Sequence, residues 1–531
     1  MHTRLLLFLI ACGICLPTFS KDKKNNTGTD ILSYDISLKV YPDKKFIEGS
    51  NLIQLKALKN LSKIELDLFP QMKVHSVLMN GQNIPFQRDS QSFHFLLPKS
   101  VKKGEQISFE VHFSGKPIEA KKAPWDGGFV WSKDSAGNAW VGLACEGIGA
   151  SCWLPCKDRW DDEPERISVK LAVPPGLTGV SNGKLISEKV RPDGFYEFEW
   201  RVVAPINHYN ISVNIGKYSR IQDVYVDAKS ERLSLDYYVL TYNAAKAKTH
   251  FQQVKRMLAS MEYFFGQYPF YEDGYKLVET PYWGMEHQSC VAYGNNYVNN
   301  KFGFDFIIVH ESGHEWFANS ITAYDKSDMW IHEGFTTYSE ALYVEKQYGS
   351  ARALQYLAGQ KPNIKNESPM VGPIGVNYNR TDNDNYYKGT WILHTMRSVL
   401  DNDTLWFNTL KDLNKTFYHK IVKGKEIEAF FCQRTGYNFQ PFFEQYLYHK
   451  QLPVLEYYLM ENNGLNQLHY RLVSETPDLQ MPLKVSLAKG KFEYLVVDKK
   501  WRVMNVPYAD VAEFKLDDKH FLLGIKLVNK P

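Results

Sequence analysis

Between Tyr34 and Tyr237 apolar and polar residues alternate in short runs. Tyr34-Asp-Ile-Ser-Leu-Lys-Val-Tyr41, Ser92-Phe-His-Phe-Leu96 and Ile107-Ser-Phe-Glu-Val-His-Phe113 carry this alternation, the period of a strand with one buried and one wet face. Asn80-Gly81, Asp126-Gly-Gly128 and Asn182-Gly183 separate such runs with turn residues. The pattern predicts an antiparallel, all-β region. From Ala244 the period lengthens. Phe251, Val254, Met257, Leu258, Met261 and Phe265 recur at helical spacing, and helical patterns continue to about His449. Near Leu452 strand signals return, through Leu472, Val485, Leu487 and Phe492-Glu-Tyr-Leu-Val-Val497. The expectation is a multidomain α+β chain, with a β domain at 31–240, a mainly helical domain at 241–450 and a small β domain at 451–531.

Length and composition narrow the class. A chain of 531 residues exceeds one hydrophobic core. Its 44% hydrophobic and 23% charged residues suit a soluble globular protein. A formal net charge of +4 is too small to argue for a nucleic-acid partner. At the N-terminus, Arg4 precedes an apolar run from Leu5 to Leu16, then Pro17-Thr-Phe-Ser20 and a lysine-rich stretch. This predicts a signal peptide at 1–20, a linker at 21–30, and export to a periplasmic or extracellular space. Leu9-Ile-Ala-Cys12 also resembles a lipobox, so a lipid-anchored form at the membrane surface is the alternative. No later apolar run is long enough to predict a transmembrane helix. Removal of the signal would leave Cys145, Cys152, Cys156, Cys290 and Cys432, an odd number. The first three lie close together without a partner histidine, which favours a local disulfide or buried thiols over a metal site.

The chemistry concentrates in Phe306-Ile-Ile-Val-His-Glu-Ser-Gly-His-Glu-Trp-Phe317. On a helix, His310 and His314 sit one turn apart on one face and can share a metal ion. Glu311 flanks them, placed to act as a base without being a ligand. Glu333 follows in Met329-Trp-Ile-His-Glu-Gly-Phe-Thr-Thr-Tyr-Ser-Glu340, a second helical pattern that can return a carboxylate to the first. Two histidines and one glutamate leave a position open, the arrangement of a catalytic zinc site with one Zn²⁺ per chain. His332 is expected at a supporting or surface position, and Glu315 points away from the histidines.

These residues, with two further motifs, resemble the gluzincin aminopeptidases, the family of aminopeptidase N and leukotriene hydrolase. The resemblance spans about residue 30 to 450. The family's Gly-x-Met-Glu-Asn motif corresponds to Tyr282-Trp-Gly-Met-Glu-His-Gln288. It implies that Glu286 grips the substrate's α-ammonium, with Gly284 and Met285 lining the same subsite. His287 replaces the usual asparagine, and Trp283-Gly284 stands where small residues are usual. Ala144-Cys-Glu-Gly147, ahead of Leu154-Pro-Cys-Lys-Asp158, makes Glu146 the second amine-binding acid by the same resemblance. Tyr386-Tyr-Lys-Gly389 matches the motif of the transition-state tyrosine, which implies Tyr386, with Tyr387 as its neighbour.

The resemblance further implies a saddle-like N-terminal β domain, a thermolysin-like zinc domain and a C-terminal β-sandwich. Most relatives carry a large helical domain where this chain has its small β domain, which implies a more open site or one closed by another subunit. The implied activity is zinc-dependent hydrolysis of the N-terminal peptide bond of peptides with a free N-terminus, with Glu311 as general base. A secreted zinc endopeptidase and an inactive zinc-bearing binding protein are the alternatives. Oligomeric state stays open.

Overall fold

The computed structural model describes residues 28–375, 378, 380, 382–488 and 491–530. The expected signal peptide and most of the following linker lie outside the described residues. The alternating N-terminal runs become an eight-stranded sheet. Its order is Lys184–Val190, Tyr196–Val202, Arg166–Val173, Thr29–Tyr41, Phe46–Ala57, Gln106–Gly115, Met72–Met79 and Gln82–Asn83. All neighbours are antiparallel except Thr29–Tyr41 and Arg166–Val173, which run parallel from Ser33 opposite Arg166 to Lys39 opposite Ala172. The expectation of a purely antiparallel region is corrected at this pair. Parallel pairing needs a long crossover, and the chain from 42 to 165 supplies one while building further sheet structure. Two strands of that crossover, Gly128–Lys133 and Ala139–Ala144, join the later strands Asn214–Gly216 and Thr178–Val180 in a four-stranded sheet. Strand Ala139–Ala144 runs straight into Cys145 and Glu146, which carries the acid out of a buried strand. The described cysteines are all unbonded, and Cys145, Cys152 and Cys156 are buried thiols.

A five-stranded sheet carries the chain toward the helices, in the order Tyr218–Val226, Arg232–Leu240, Tyr275–Glu279, Val291–Tyr293 and Gly284–Met285. The three strands between 275 and 293 interrupt a stretch whose sequence pattern is helical. Tyr275–Glu279 is buried at every position, so no alternation reveals it. The short strand Gly284–Met285 pairs antiparallel with Val291–Tyr293 and forms the edge of this sheet. Likewise the helix expected from Ala244 to Phe265 is two, α1 (Ala244–His250) and α2 (Gln253–Phe265). The break falls at Phe251, whose ring packs edge-on against Tyr237 and Tyr293.

Helix α3 (Phe306–Gly313) begins where the Asp305 carboxylate accepts the Ile307 N–H at 3.0 Å, an N-cap that satisfies an otherwise orphan donor. Helix α4 (Trp330–Tyr348) is buried on every side from Trp330 to Val344 and forms the spine of the helical region. Around it lie α5 (Ser350–Gln360) and α6 (Asp384–Leu400). Helices α4 and α6 touch backbone to backbone: a Cβ added at Gly389 would lie 2.7 Å from the Gly334 Cα. Only glycine at both positions allows this approach, which brings Tyr386 near Glu333. The C-terminal strands form a four-stranded sheet and a separate hairpin, Met481–Ala488 with Lys491–Val497. They dock on α6, where Thr395 Oγ1 accepts the Leu522 N–H at 3.0 Å and the Tyr494 hydroxyl donates to the Ser398 carbonyl at 3.0 Å. No described helix is long and apolar enough to cross a membrane.

Candidate active site

Helix α3 ends on its own chemistry. His310 lies in its last turn and His314 caps it, while Glu333 stands in the first turn of α4. All three are buried. His310 Nε2 and His314 Nε2 are 3.3 Å apart, and Glu333 Oε2 lies 3.6 and 3.4 Å from them. Tetrahedral bonds of about 2.0–2.1 Å to zinc would separate neighbouring ligand atoms by about 3.3 Å, so the triangle has the size of a zinc site. Its protonation agrees. His310 Nδ1 lies 2.6 Å from Glu340 Oε1, and His314 Nδ1 is 3.0 Å from the Phe317 carbonyl. Donation by both Nδ1–H groups leaves two Nε2 lone pairs converging with a carboxylate oxygen that has no hydrogen-bond partner among the described residues. Three buried acceptors facing one another require a cation between them.

The electrostatics have the same sense. Burial opposes charge on Glu333, but His314 and His310 outweigh it and hold its carboxyl well below the usual range. Burial also opposes an imidazolium at His310, yet Glu333 and Glu340 raise its pKa well above the ordinary histidine value. Beside them Glu311 is pushed up to about 7 by burial, against the lowering pull of both histidines. Gly284, on the edge strand, faces this carboxylate so closely that a Cβ there would sit 2.5 Å from Glu311 Oε1. The glycine therefore keeps room for this carboxylate. Met285, next along the strand, is buried.

Glu286 follows, buried, its Oε1 accepting the Tyr209 hydroxyl at 3.3 Å. Ligand atoms of Glu286, Glu311 and His314 all fall within 4.8 Å of one another. Glu146 reaches the same space from the N-terminal β region. Its Oε1 is buried without a partner among the described residues, and burial, Glu286 and Glu333 raise its pKa well above the usual carboxyl range. Tyr386 completes the group. Its ring stacks on His310 at 5.9 Å, and burial, with the Glu333 charge, pushes its hydroxyl well up. Tyr387 turns aside, 6.4 Å from Tyr386, with burial and Glu340 as the main influences on its hydroxyl.

Three residues beside the ligands have structural roles of different kinds. His332 is fully buried, not at the surface: its Nε2 accepts the Ala323 N–H at 2.8 Å and its ring stacks on Trp160. Glu315 does turn away from the histidines and accepts the Ser289 N–H at 2.9 Å. Glu340 is the residue that sequence reasoning passed over. It stands seven positions after Glu333, two turns along the same face of α4, and that spacing was a usable signal. The Tyr356 hydroxyl of α5 donates to its other oxygen, so Glu340 joins His310 to the helix behind it.

Two family models match the chain. Residues 31–209 match the peptidase M1 N-terminal domain and residues 250–446 the peptidase family M1 domain. The chain belongs to peptidase family M1. This M1 chain is 21% identical over 476 residues to the leucyl aminopeptidase of Saccharolobus solfataricus, covering 84% of itself and 57% of that protein. With probable aminopeptidase 1 of Sulfurisphaera tokodaii it shares 22% over 509 residues, 88% of itself and 60% of the relative. It therefore spans less than two thirds of the length of these relatives. Among solved structures, the M1 zinc metallopeptidase of Deinococcus radiodurans superposes with a TM-score of 0.70 at 21% identity, over 80% of this chain and 95% of that one. The likeness shows a shared fold.

Proposed function

We propose that this chain is a zinc-dependent aminopeptidase that removes the N-terminal residue from peptides with a free amine. The observation that carries the reading is the juxtaposition of two buried clusters of cation-binding side chains. The His310–His314–Glu333 triangle suits one zinc ion, and the Glu286–Glu146 pair beside it suits a second, monovalent cation. An α-ammonium meets that need through charge-assisted hydrogen bonds. With the amine held there, only the first peptide bond comes level with Glu311.

When bound, zinc supplies a Lewis acid that polarises the scissile carbonyl and favours ionisation of an attacking water. Glu311, buried and with its pKa pushed up to about 7, takes the proton of that water as general base and hands it to the departing amine. The carbonyl oxygen gains negative charge as the water adds. Tyr386 keeps its proton because its pKa is raised, so its hydroxyl can donate to that oxygen. Gly284 leaves the base unobstructed, and the free edge of strand Gly284–Met285 offers backbone groups to an extended peptide.

The deciding experiment compares peptides with free and acetylated N-termini, with and without a chelator. Cleavage of the free peptide alone, abolished by the chelator, is expected. Equal cleavage of the acetylated peptide would remove the amine wall from the argument. We also propose that residues 1–20 direct export. N-terminal sequencing of the mature protein tests this: a chain that still begins at Met1 would refute it, and a lipid on Cys12 would select the anchored form.

A further inference from the structure

Two tryptophans stand in the open beside the proposed site. Trp125 is 67% exposed and Trp283 is 45% exposed, and their rings lie 6.5 Å apart at 45°. Large aromatic rings are usually buried on average, so a pair touching one another in solvent calls for an occupant. Neither ring is loose at its base. The Trp283 indole N–H donates to Asn295 Oδ1 at 3.0 Å, and its ring stacks on Phe306 at 5.6 Å and 23°. Phe306 stacks in turn on His310 at 5.2 Å and 20°. A continuous series of ring faces thus leads from solvent to a metal ligand. Trp125 arrives from the N-terminal β region, on the loop before strand Gly128–Lys133, with its carbonyl beside Gly147 and so next to Glu146. The two indoles meet, tilted at 45°, between that loop and strand Gly284–Met285.

Position along the edge strand says what part of a peptide they meet. Glu286 takes the amine, Gly284 lies against Glu311, and Trp283 comes next in the same direction. An extended peptide advances about 3.3 Å per residue. With its amine at Glu286 and its first carbonyl level with Glu311, its second residue reaches Trp283. Resting on the aminopeptidase reading above, we propose that Trp283, Phe306 and the adjoining Trp125 form an exposed aromatic wall that selects peptides whose second residue is aromatic. That residue is the one released with a new N-terminus.

The test uses the zinc-loaded full chain and tripeptides Leu-X-Ala, with X as Phe, Trp, Leu, Ala or Lys, alongside leucine amide, which has no second residue. For the unaltered chain, kcat/KM with Phe at X is expected to exceed that with Ala by about tenfold, the scale of one aromatic stacking contact. Trp283→Ala should bring that ratio close to one, mainly through KM, and Trp283→Phe should restore much of it. Trp125→Ala should lower it partially. Because Trp125 is mostly solvated, that variant keeps the proposal testable even if Trp283→Ala folds poorly. A flat preference in the unaltered chain, or an unchanged ratio in both alanine variants, overturns the proposal while leaving the aminopeptidase reading in place. If leucine amide and every tripeptide resist hydrolysis, that reading fails and the aromatic wall falls with it. A dimer in sedimentation that Trp125→Ala dissolves would assign the rings to self-association and equally overturn the proposal.

Discussion

Replacing Glu340 tests whether the metal site depends on its outer partner. In the native chain a carboxylate oxygen lies 2.6 Å from His310 Nδ1, a buried hydrogen bond with a charged acceptor. It orients the imidazole, keeps the proton on Nδ1 and leaves Nε2 free to face His314 and Glu333. Hydrogen bonds to charged groups contribute about 1.5–3 kcal/mol. Loss of such a partner typically costs about 10–100-fold in metal affinity, which is about 1.4–2.7 kcal/mol. Glu340→Gln retains a carbonyl acceptor but loses the charge, so about tenfold weaker zinc binding is expected. Glu340→Ala loses both and belongs at about 100-fold. Tyr356→Phe keeps the carboxylate and removes only the hydroxyl that steadies its other oxygen, so its effect should be smaller than either. Competition between metal-stripped protein and a fluorescent chelator measures all three independently of turnover. Zinc affinity of Glu340→Ala equal to that of the unaltered chain would refute the reasoning.

Other substitutions probe the remaining parts. Glu311→Gln should bind zinc normally yet lose about 10²–10⁴ of turnover, and a fully active variant would release Glu311 from the role of base. Tyr386→Phe should lower kcat by about 10²–10³ with a lesser effect on KM, whereas an unchanged kcat would transfer the donor role to another group. Gly284→Ala places a methyl against Glu311 Oε1, so kcat/KM should drop while zinc content holds; full activity would show that the edge strand yields. Stability should also depend on pH through Glu163, which burial raises from an ordinary 4.5 to about 7, partly offset by the Thr322 hydroxyl. The unfolded chain loses this proton first, so stability present below about pH 4.5 declines as pH rises and is lost by about pH 7, by no more than about 3 kcal/mol. Glu163→Gln should flatten that part of the profile, and thermal midpoints at pH 5 and pH 8 that change equally in both proteins would dismiss it.

What could be read along the chain followed from local periodicity. Alternation at Thr29–Tyr41 and Gln106–Gly115 reported strands because each has one wet face to contrast with the buried one. The fully buried Tyr275–Glu279 had no such contrast and stayed hidden. Helical spacing from Val254 to Phe265 was right, but the break at Phe251 depends on Tyr237 and Tyr293, one from a preceding strand and one from a following strand. The parallel pairing of Thr29–Tyr41 with Arg166–Val173 was equally out of reach, since pairing partners more than a hundred positions apart leave no periodic trace.

The same division runs through the site. By itself the sequence determined His310, Glu311 and His314 as a unit, because four-residue spacing on one helix puts the two histidines on one face and Glu311 on its flank. It also marked Glu333 as a carboxylate able to return. Only the tertiary structure decided that Glu333 closes a triangle with edges of 3.3–3.6 Å. The meeting of Glu286 with Glu146 likewise depends on the N-terminal β region standing against the edge strand. Tyr386 approaches the ligands because Gly334 and Gly389 let α4 and α6 touch, a contact between residues 55 positions apart in number. Local spacing specifies which side chains share an element. The burial that turns them into a charged, desolvated site belongs to packing among elements, and packing is set by the whole chain at once.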